Sequence, residues 1–255
     1  MNALIERVPA SLQSDPGLTY DRFDWRFRRD RDDEAADLVI AQSQSPAALG
    51  DPVTWADRRA ALARSLLRAD KPKAAYRVAA NHFLTEGSDY ADLEFLAGFI
   101  ALRRLSDPQT ALKHFRALGQ AVGTPISIAR AQYWQGRALL AAGDKSGAVQ
   151  ALQAAAQNQT AYYGLLAAET LGLSLDPALL ATHRPGDWQG ASFAQSSVLE
   201  AALLLDKAGD RTLSKRFFLH LGESLSDADL AKLSDLALRI DEPHIAVVIA
   251  KQAAE

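Results

Sequence analysis

Three glutamates in apolar surroundings are the candidates for acid–base chemistry in this chain: Glu94, Glu169 and Glu200. A carboxylic acid that cleaves a glycosidic bond needs a raised pKa and a position at the scissile bond. An ion pair between helices explains such residues equally well, because a buried charge without a partner is costly. We therefore predict structural ion pairs for all three, with Arg103 or Arg130 as the partner of Glu94. An enzyme that uses one of these glutamates is the least favoured of the three functions that we consider for this chain.

The other chemistry-bearing residues do not have the spacing of a catalytic or metal site. The sequence contains no cysteine, which excludes disulfides, thiolate zinc sites and a cysteine nucleophile. It also lacks a phosphate-binding loop, a dinucleotide-binding glycine pattern, a nucleophile elbow and HExxH. We place His82 and His114 inside helices, in packing or surface roles, and predict no catalytic residue, no metal and no cofactor. The five histidines are scattered along the chain: His82, His114, His183, His220 and His244.

Aromatic residues accompanied by arginines form the best candidate binding surface. Aromatic and arginine side chains are enriched where proteins bind ligands and partners, and helical solenoids bind on a concave face. Packing between helices is the alternative interpretation, and we favour it for these aromatic residues, most of all for Trp134. His183 and Trp188, further along the chain, are candidates for a ligand contact or for local packing. The predicted binding residues are Arg130, Tyr133, Trp134, Arg137, Tyr162 and Tyr163.

Composition indicates that helices position these residues. The 255 residues include 49 Ala and 37 Leu, against 26 Val, Ile and Thr together. Ala and Leu favour helices, whereas β-branched residues favour strands. The net charge of -3 gives no overall electrostatic attraction to nucleic acid. We find neither a signal peptide nor an apolar run long enough to span a membrane.

Helix starts recur along the chain. A capping side chain stands directly before a proline at three places: Asp15-Pro16, Asp107-Pro108 and Thr124-Pro125. Proline is suited to the first position of a helix, and Asp and Thr are suited to the capping position before it. Between such signals lie segments with helical periodicity, and no segment alternates like a strand. We expect Asp70, Asp144, Ser192, Asp210 and Asp241 to cap helices as well.

An internal repeat relates these helices. The pattern Asp-x-x-x-Ala recurs with a spacing of 37 residues, close to the 34 of a tetratricopeptide unit. Each unit reads as a helix, a tight turn and a second helix, and stacked pairs form a solenoid. The aligned residues are Asp70, Asp107 and Asp144; Ala74, Ala111 and Ala148; Ala60, Ala97 and Trp134; Leu62, Phe99 and Gly136.

We predict an all-α fold, a right-handed superhelical solenoid of tetratricopeptide-like helix pairs followed by a small helical bundle. The predicted parts are residues 1–173 for the solenoid, 174–191 for a connector and 192–255 for the bundle. A repeat array normally ends in capping units with a polar outer face. Neither end of this sequence has an obvious one, and we therefore expect the chain to be an internal piece of a longer protein.

Three stretches resemble the superhelical region of soluble lytic murein transglycosylases. They are DLEFLAGFIALR at 92–103, PISIARAQYWQGRA at 125–138 and TAYYGLLAAE at 160–169. The specific parts are RAxYWxGRA and YYGxLAAE. Residues 1–173 resemble the later part of the ring-forming U-shaped domain of that family, and 192–255 resemble its linker domain.

The resemblance implies a periplasmic peptidoglycan-cleaving enzyme that breaks the MurNAc-GlcNAc bond and leaves 1,6-anhydromuramoyl ends. The family's catalytic glutamate belongs to a lysozyme-like domain in which a Glu-Ser motif is followed by a Gly-Leu-Met-Gln string. This sequence contains no such combination, and its only methionine is Met1. We therefore expect a non-catalytic portion that holds glycan strands, with peptidoglycan and the parent's catalytic domain as partners. The alternative is a tetratricopeptide-like adaptor that binds a protein or peptide, and the chain would be cytoplasmic if it is complete as given.

Overall fold

A computed structural model describes residues 5–180 and 185–253. Within these ranges every regular element is helical and no strand occurs, so the predicted all-α fold is confirmed. The chain divides into two compact units, Met1–Leu175 and Asp176–Glu255.

The first unit is a succession of helices joined by short turns, after a 3-10 turn at Ala10–Leu12. Each long helix packs mainly against its neighbours along the chain, and α4–α6 and α8–α10 also make next-but-one contacts. Such sequential packing is compatible with the predicted superhelical solenoid. The helices are α1 (Pro16–Phe27), α2 (Asp32–Gln42), α3 (Pro46–Leu49), α4 (Pro52–Arg68), α5 (Pro72–Ala80), α6 (Gly87–Arg104), α7 (Pro108–Ala121), α8 (Pro125–Ala141), α9 (Lys145–Ala156) and α10 (Tyr162–Leu171).

The predicted caps before prolines are confirmed. The side chains of Asp15, Asp107 and Thr124 each accept a hydrogen bond from the backbone N–H three residues on. Asp144 does the same for Gly147 at 2.8 Å. These bonds satisfy N–H groups that a helix start leaves without an internal partner.

Asp241 was a wrong choice for a cap, because its φ of +62° and the hydrogen bond from its N–H to the Leu238 carbonyl place it at the end of the preceding helix. Asp70 was also the wrong choice for a cap. It has φ +57° and closes α4, because its N–H donates to the Leu67 carbonyl while the Lys71 N–H donates to Leu66. This pairing is a Schellman motif, which puts Asp70 at the left-handed position. The following helix therefore starts one residue later than predicted, and Ala75, not Ala74, is fully buried.

The predicted alignment of the repeats, which matched Phe99 with Gly136, is also wrong by one residue. A Cβ on Gly98 would lie 2.7 Å from the Phe115 ring, and one on Gly136 would lie 2.8 Å from Leu152. These glycines are the equivalent positions where paired helices approach closely, so Gly98 matches Gly136. The stretch from Gly98 to the Asp107 cap is one residue longer than the stretch from Gly136 to the Asp144 cap. The N–H of Asp107 reaches back six residues to a carbonyl, whereas that of Asp144 reaches back five.

Arg59 on α4 ties several elements of the first unit together. Its side chain is 1% exposed and donates to the carbonyls of Val78 and Asn81, both at 2.9 Å, and to the Ser43 hydroxyl at 2.7 Å. Burial lowers the pKa of Arg59 to about 10, so the guanidinium keeps its charge at neutral pH. The residue therefore closes the carboxyl-terminal end of α5 from inside the core.

The second unit contains a short helix, a 3-10 turn at Trp188–Gly190 and four longer helices. The longer helices pack as the pairs α12–α13 and α14–α15, and α13 also contacts α15. Ser196, not Ser192, caps α12, while Ser192 hydrogen-bonds to Asp229 at 2.6 Å. The helices are α11 (Pro177–Leu180), α12 (Ser197–Lys207), α13 (Arg211–Gly222), α14 (Asp227–Arg239) and α15 (Pro243–Gln252).

No helix in the described ranges combines the length and the apolar character needed to cross a bilayer. The absence of a transmembrane helix was predicted and holds for this part of the chain.

Candidate functional site

Four of the predicted binding residues lie on successive turns of α8. Because a helix repeats about every 3.6 residues, residues 130, 133, 134 and 137 share one side. Pro125 and the Thr124 cap fix where α8 begins. The other two residues, Tyr162 and Tyr163, form the first turn of α10, which packs against α8. The structure therefore brings all six predicted residues onto two helices in contact.

Trp134 belongs mainly to the core. Its ring lies 5.9 Å from that of Phe95, 5.4 Å from Phe99 and 5.7 Å from Phe115. The indole N–H is buried and has no hydrogen-bond partner within the described residues. The arrangement matches the helix-packing interpretation that we favoured for this residue.

Tyr133 and Tyr163 continue the aromatic cluster outward. Tyr133 is 3% exposed, and its ring lies 5.4 Å from that of Tyr163. Arg137 donates to the Tyr133 hydroxyl at 2.7 Å and lies 5.7 Å from the centre of its ring. These contacts hold both the ring and the guanidinium in one orientation.

Tyr162 is the surface end of this aromatic series. It is 70% exposed, and its ring centre lies 5.1 Å from that of Tyr163 in an edge-to-face arrangement. Gly164 lets α10 approach the preceding turn, since a Cβ there would lie 1.9 Å from the Asn158 carbonyl oxygen. We call the connected rings of Tyr162, Tyr163, Tyr133 and Trp134 the aromatic ladder.

Arg130 lies on the same side of α8 but contacts another ring. Its guanidinium is 4.6 Å from the centre of the Phe95 ring, which favours a cation–π interaction. Its Nε is buried and has no acceptor within the described residues. Arg130 does not pair with Glu94, contrary to our prediction.

Glu94 pairs with two histidines instead of an arginine. It is 8% exposed, and its carboxylate lies 3.0 Å from Nε2 of His82 and 2.7 Å from Nδ1 of His114. His82 lies in the segment after α5 and not inside a helix as predicted. The partner assignment to Arg103 or Arg130 is therefore wrong, although the structural role predicted for Glu94 fits its burial.

The hydrogen bonds define which ring nitrogens carry protons. Nδ1 of His82 accepts from the Leu84 N–H at 3.0 Å, so Nε2 carries the hydrogen that it donates to Glu94. His114 donates from Nδ1 to Glu94, and its Nε2 lies 3.1 Å from the Tyr76 hydroxyl. In the neutral imidazole that nitrogen accepts, so Tyr76 donates. The network links α5, the segment after it, α6 and α7.

This environment keeps Glu94 ionised. Burial raises its pKa, but hydrogen bonds from His114 and His82, with the positive charge these rings carry when protonated, lower it more, to about 2. A general acid needs a pKa near the working pH. Glu94 therefore cannot serve as the acid of a glycosidase at neutral pH, which argues against the enzyme alternative at this residue.

Glu169 and Glu200 lie on the surface. Neither forms an ion pair with another described residue, so the predicted structural pairing is wrong for both. Exposure removes the reason for pairing, because a solvated carboxylate has no burial cost to offset.

The remaining candidates are possible metal ligands and the residues Trp188 and His183. Within residues 5–180 and 185–253, no group of three or more His, Asp or Glu residues could hold a metal ion. Trp188 lies in the 3-10 turn and packs in part against the core of the second unit. His183 lies outside the described residues.

Sequence reasoning missed Arg59, Tyr76 and the role of His82. A basic residue in the middle of an apolar helix face was the available signal for Arg59. The partners of Glu94 lie 12 and 20 residues away on other elements, beyond any local pattern.

A comparison with protein-family models and with curated proteins found no match for this chain.

Proposed function

We propose that this chain is the non-catalytic superhelical portion of a peptidoglycan lytic transglycosylase and that its first unit binds glycan strands. The observation that carries the proposal is the aromatic ladder, which ends in the exposed ring of Tyr162. The stretches that resemble this family lie on α6, α8 and the start of α10. The ladder is built from α8 and α10, and Trp134 contacts rings of α6.

The chemistry of the ladder suits a sugar chain. A pyranose ring offers an apolar face to an aromatic ring and hydroxyl groups to hydrogen-bonding side chains at its edge. Arg137 has five N–H donors, and the Tyr133 hydroxyl is the acceptor of one. Because packing already fixes the inner rings, binding at the surface requires little further ordering of side chains.

In this proposal the chain holds or orients strands and does not cut them. The resemblance assigns cleavage to a glutamate in a lysozyme-like domain, and this sequence lacks that domain's Glu-Ser motif followed by Gly-Leu-Met-Gln. Glu94 is ionised and enclosed by its histidines, which supports a structural and not a catalytic role. Localisation in the periplasm is part of the same proposal.

The test is co-sedimentation of the chain with purified peptidoglycan sacculi. We expect Tyr162→Ala to weaken retention about fivefold, since an aromatic contact is worth about 1 kcal/mol. Tyr162→Phe keeps the ring and should retain most of the binding. Phe83→Ala removes an exposed ring outside the ladder and should leave binding unchanged.

Three results would contradict the proposal. Equal retention of Tyr162→Ala and the original chain would remove the ladder from the binding surface. Release of 1,6-anhydromuropeptides into the supernatant would contradict the non-catalytic role. Absence of retention, together with recovery of a stoichiometric protein partner in a pull-down, would favour the adaptor.

A further inference from the structure

A cleft in the second unit is lined mainly by basic side chains. Its volume is about 400 Å³, within the range of small-molecule sites. It lies where α13 runs beside the start of α15, two helices that pack together. The lining residues are Arg211, Thr212, Lys215, Arg216, Leu219 and His244, and we call this feature the basic cleft.

The spacing of these residues explains the concentration of charge. The lining residues of α13 lie on one helix face, because they follow the i, i+4, i+8 repeat at 211, 215 and 219 and the i, i+4 repeat at 212 and 216. Ser214 and Phe218 are fully buried and anchor a neighbouring face of α13 in the core. The apolar packing of α13 therefore fixes the direction in which its basic face points.

One cation of the cleft is balanced. Arg211 pairs with Glu242 at 2.6 Å, and Glu242 is a buried residue that directly precedes α15. The ion pair joins the start of α13 to the start of α15 and so holds two sides of the cleft together. The side chain of Asp210, just before α13, accepts a hydrogen bond from the Leu213 N–H. The amino-terminal end of α13 is therefore already capped.

The other cations are not balanced. Lys215 lies 2.9 Å from Nε2 of His244, and because an ammonium only donates, the imidazole accepts as a neutral ring. Arg216 is exposed and has no ion pair with any described residue. Lys215 and Arg216 therefore leave two positive charges in one concave surface, and such a surface concentrates the field of its charges.

We propose that the basic cleft binds a small multiply charged oxyanion, a compound with a phosphate or carboxylate group. Arg216 supplies a planar fork that matches either oxyanion through two parallel hydrogen bonds. Lys215 supplies a point charge that can exchange its neutral acceptor, His244, for an anionic one. The Thr212 hydroxyl can donate to a further oxygen of the same group. The volume accommodates more than a bare ion, which favours an organic phosphate or a polycarboxylate.

The experiment is a titration of the full chain, labelled with ¹⁵N, at constant ionic strength. Inorganic phosphate and citrate are the two probes, and amide shifts over 211–219 and 243–246 are followed. We expect saturable shifts with at least one probe. Saturation by phosphate alone assigns a phosphate compound, and saturation by citrate alone assigns a polycarboxylate.

Charge-removing variants distinguish anion binding at the basic cleft from a nonspecific effect of the anion on the whole surface. The double variant Lys215→Gln, Arg216→Gln should weaken the affinity about tenfold or more, since hydrogen bonds to charged groups are the strong ones. The double variant Lys207→Gln, Lys251→Gln removes the same number of charges from exposed positions of α12 and α15 outside the cleft and should bind as before. Shifts that do not saturate, or that are equal in the double variant, would overturn the proposal. The glycan-binding proposal is unaffected by either result, because its residues lie in the first unit.

Discussion

Two buried charges of opposite sign hold the same segment of the first unit. Arg59 binds the carbonyls of Val78 and Asn81, and Glu94 binds His82, the next residue. Both side chains are almost fully enclosed. The segment between α5 and α6 is therefore fixed from two sides by ionised groups.

The two charges are compensated by different partners. Arg59 donates to carbonyls at the end of α5, where the helix dipole is negative, and makes no ion pair with a described carboxylate. Glu94 accepts from two imidazoles on separate elements. The difference teaches that Arg59 joins α4 to the ends of α2 and α5 through neutral acceptors, whereas Glu94 joins α6 to α7 and to the segment after α5 through two imidazoles. It also follows that only the Glu94 site can respond to acid.

The largest expected effect is that of Arg59→Met, which keeps much of the apolar stem and removes the donors. We expect the free energy of unfolding to fall by about 3 kcal/mol or more, because buried carbonyls lose their hydrogen bonds. Urea unfolding followed by circular dichroism measures it. Arg58→Met is the control and should cost about 1 kcal/mol or less, since Arg58 forms a more exposed pair with Asp24. Equal losses for the two variants would contradict the role of Arg59.

An intermediate effect is expected for Glu94→Leu, which leaves two buried imidazole N–H groups without an acceptor. The loss should be about 2 kcal/mol in the same urea experiment. Glu94→Gln should recover part of it, because His114 can change tautomer and donate to the Tyr76 hydroxyl. His82 cannot, since the Leu84 N–H holds its Nδ1 as an acceptor.

Glu169→Gln is the matched control for both Glu94 variants and should be neutral, since Glu169 is exposed. Identical stabilities for Glu94→Leu and Glu94→Gln would show that hydrogen bonding at this carboxylate contributes nothing.

The smallest expected effect is the pH dependence, which sharpens the comparison most. The pKa of Glu94 falls from 4.5 to about 2 on folding, so its stabilisation is complete above about pH 4.5 and is lost progressively towards pH 2. The stability difference between the original chain and Glu94→Gln should therefore shrink between pH 5 and pH 3. The difference for Arg59→Met should stay constant over the same range, and a constant difference for both would be inconsistent with the titration of Glu94.

Part of this architecture could be predicted because its cause is local. A capping side chain next to a proline fixes a helix start through bonds within four residues, and Asp15, Asp107 and Thr124 all cap as expected. The repeat register was wrong by one at two places, because a left-handed Asp70 and an extra residue between Gly98 and the Asp107 cap do not alter the sequence pattern. Turn conformation depends on how neighbouring helices pack.

The site divides in the same way. The sequence by itself determined that helices form, where most of them start and that Tyr133, Trp134 and Arg137 share one helix face, since these follow from propensity, capping and periodicity. Only the tertiary structure decided that Trp134 is enclosed by rings of α6 and α7, that Tyr162 is exposed and that Glu94 binds histidines. The physical reason is that burial and pairing depend on distances between elements far apart in the chain, which packing of the whole unit fixes.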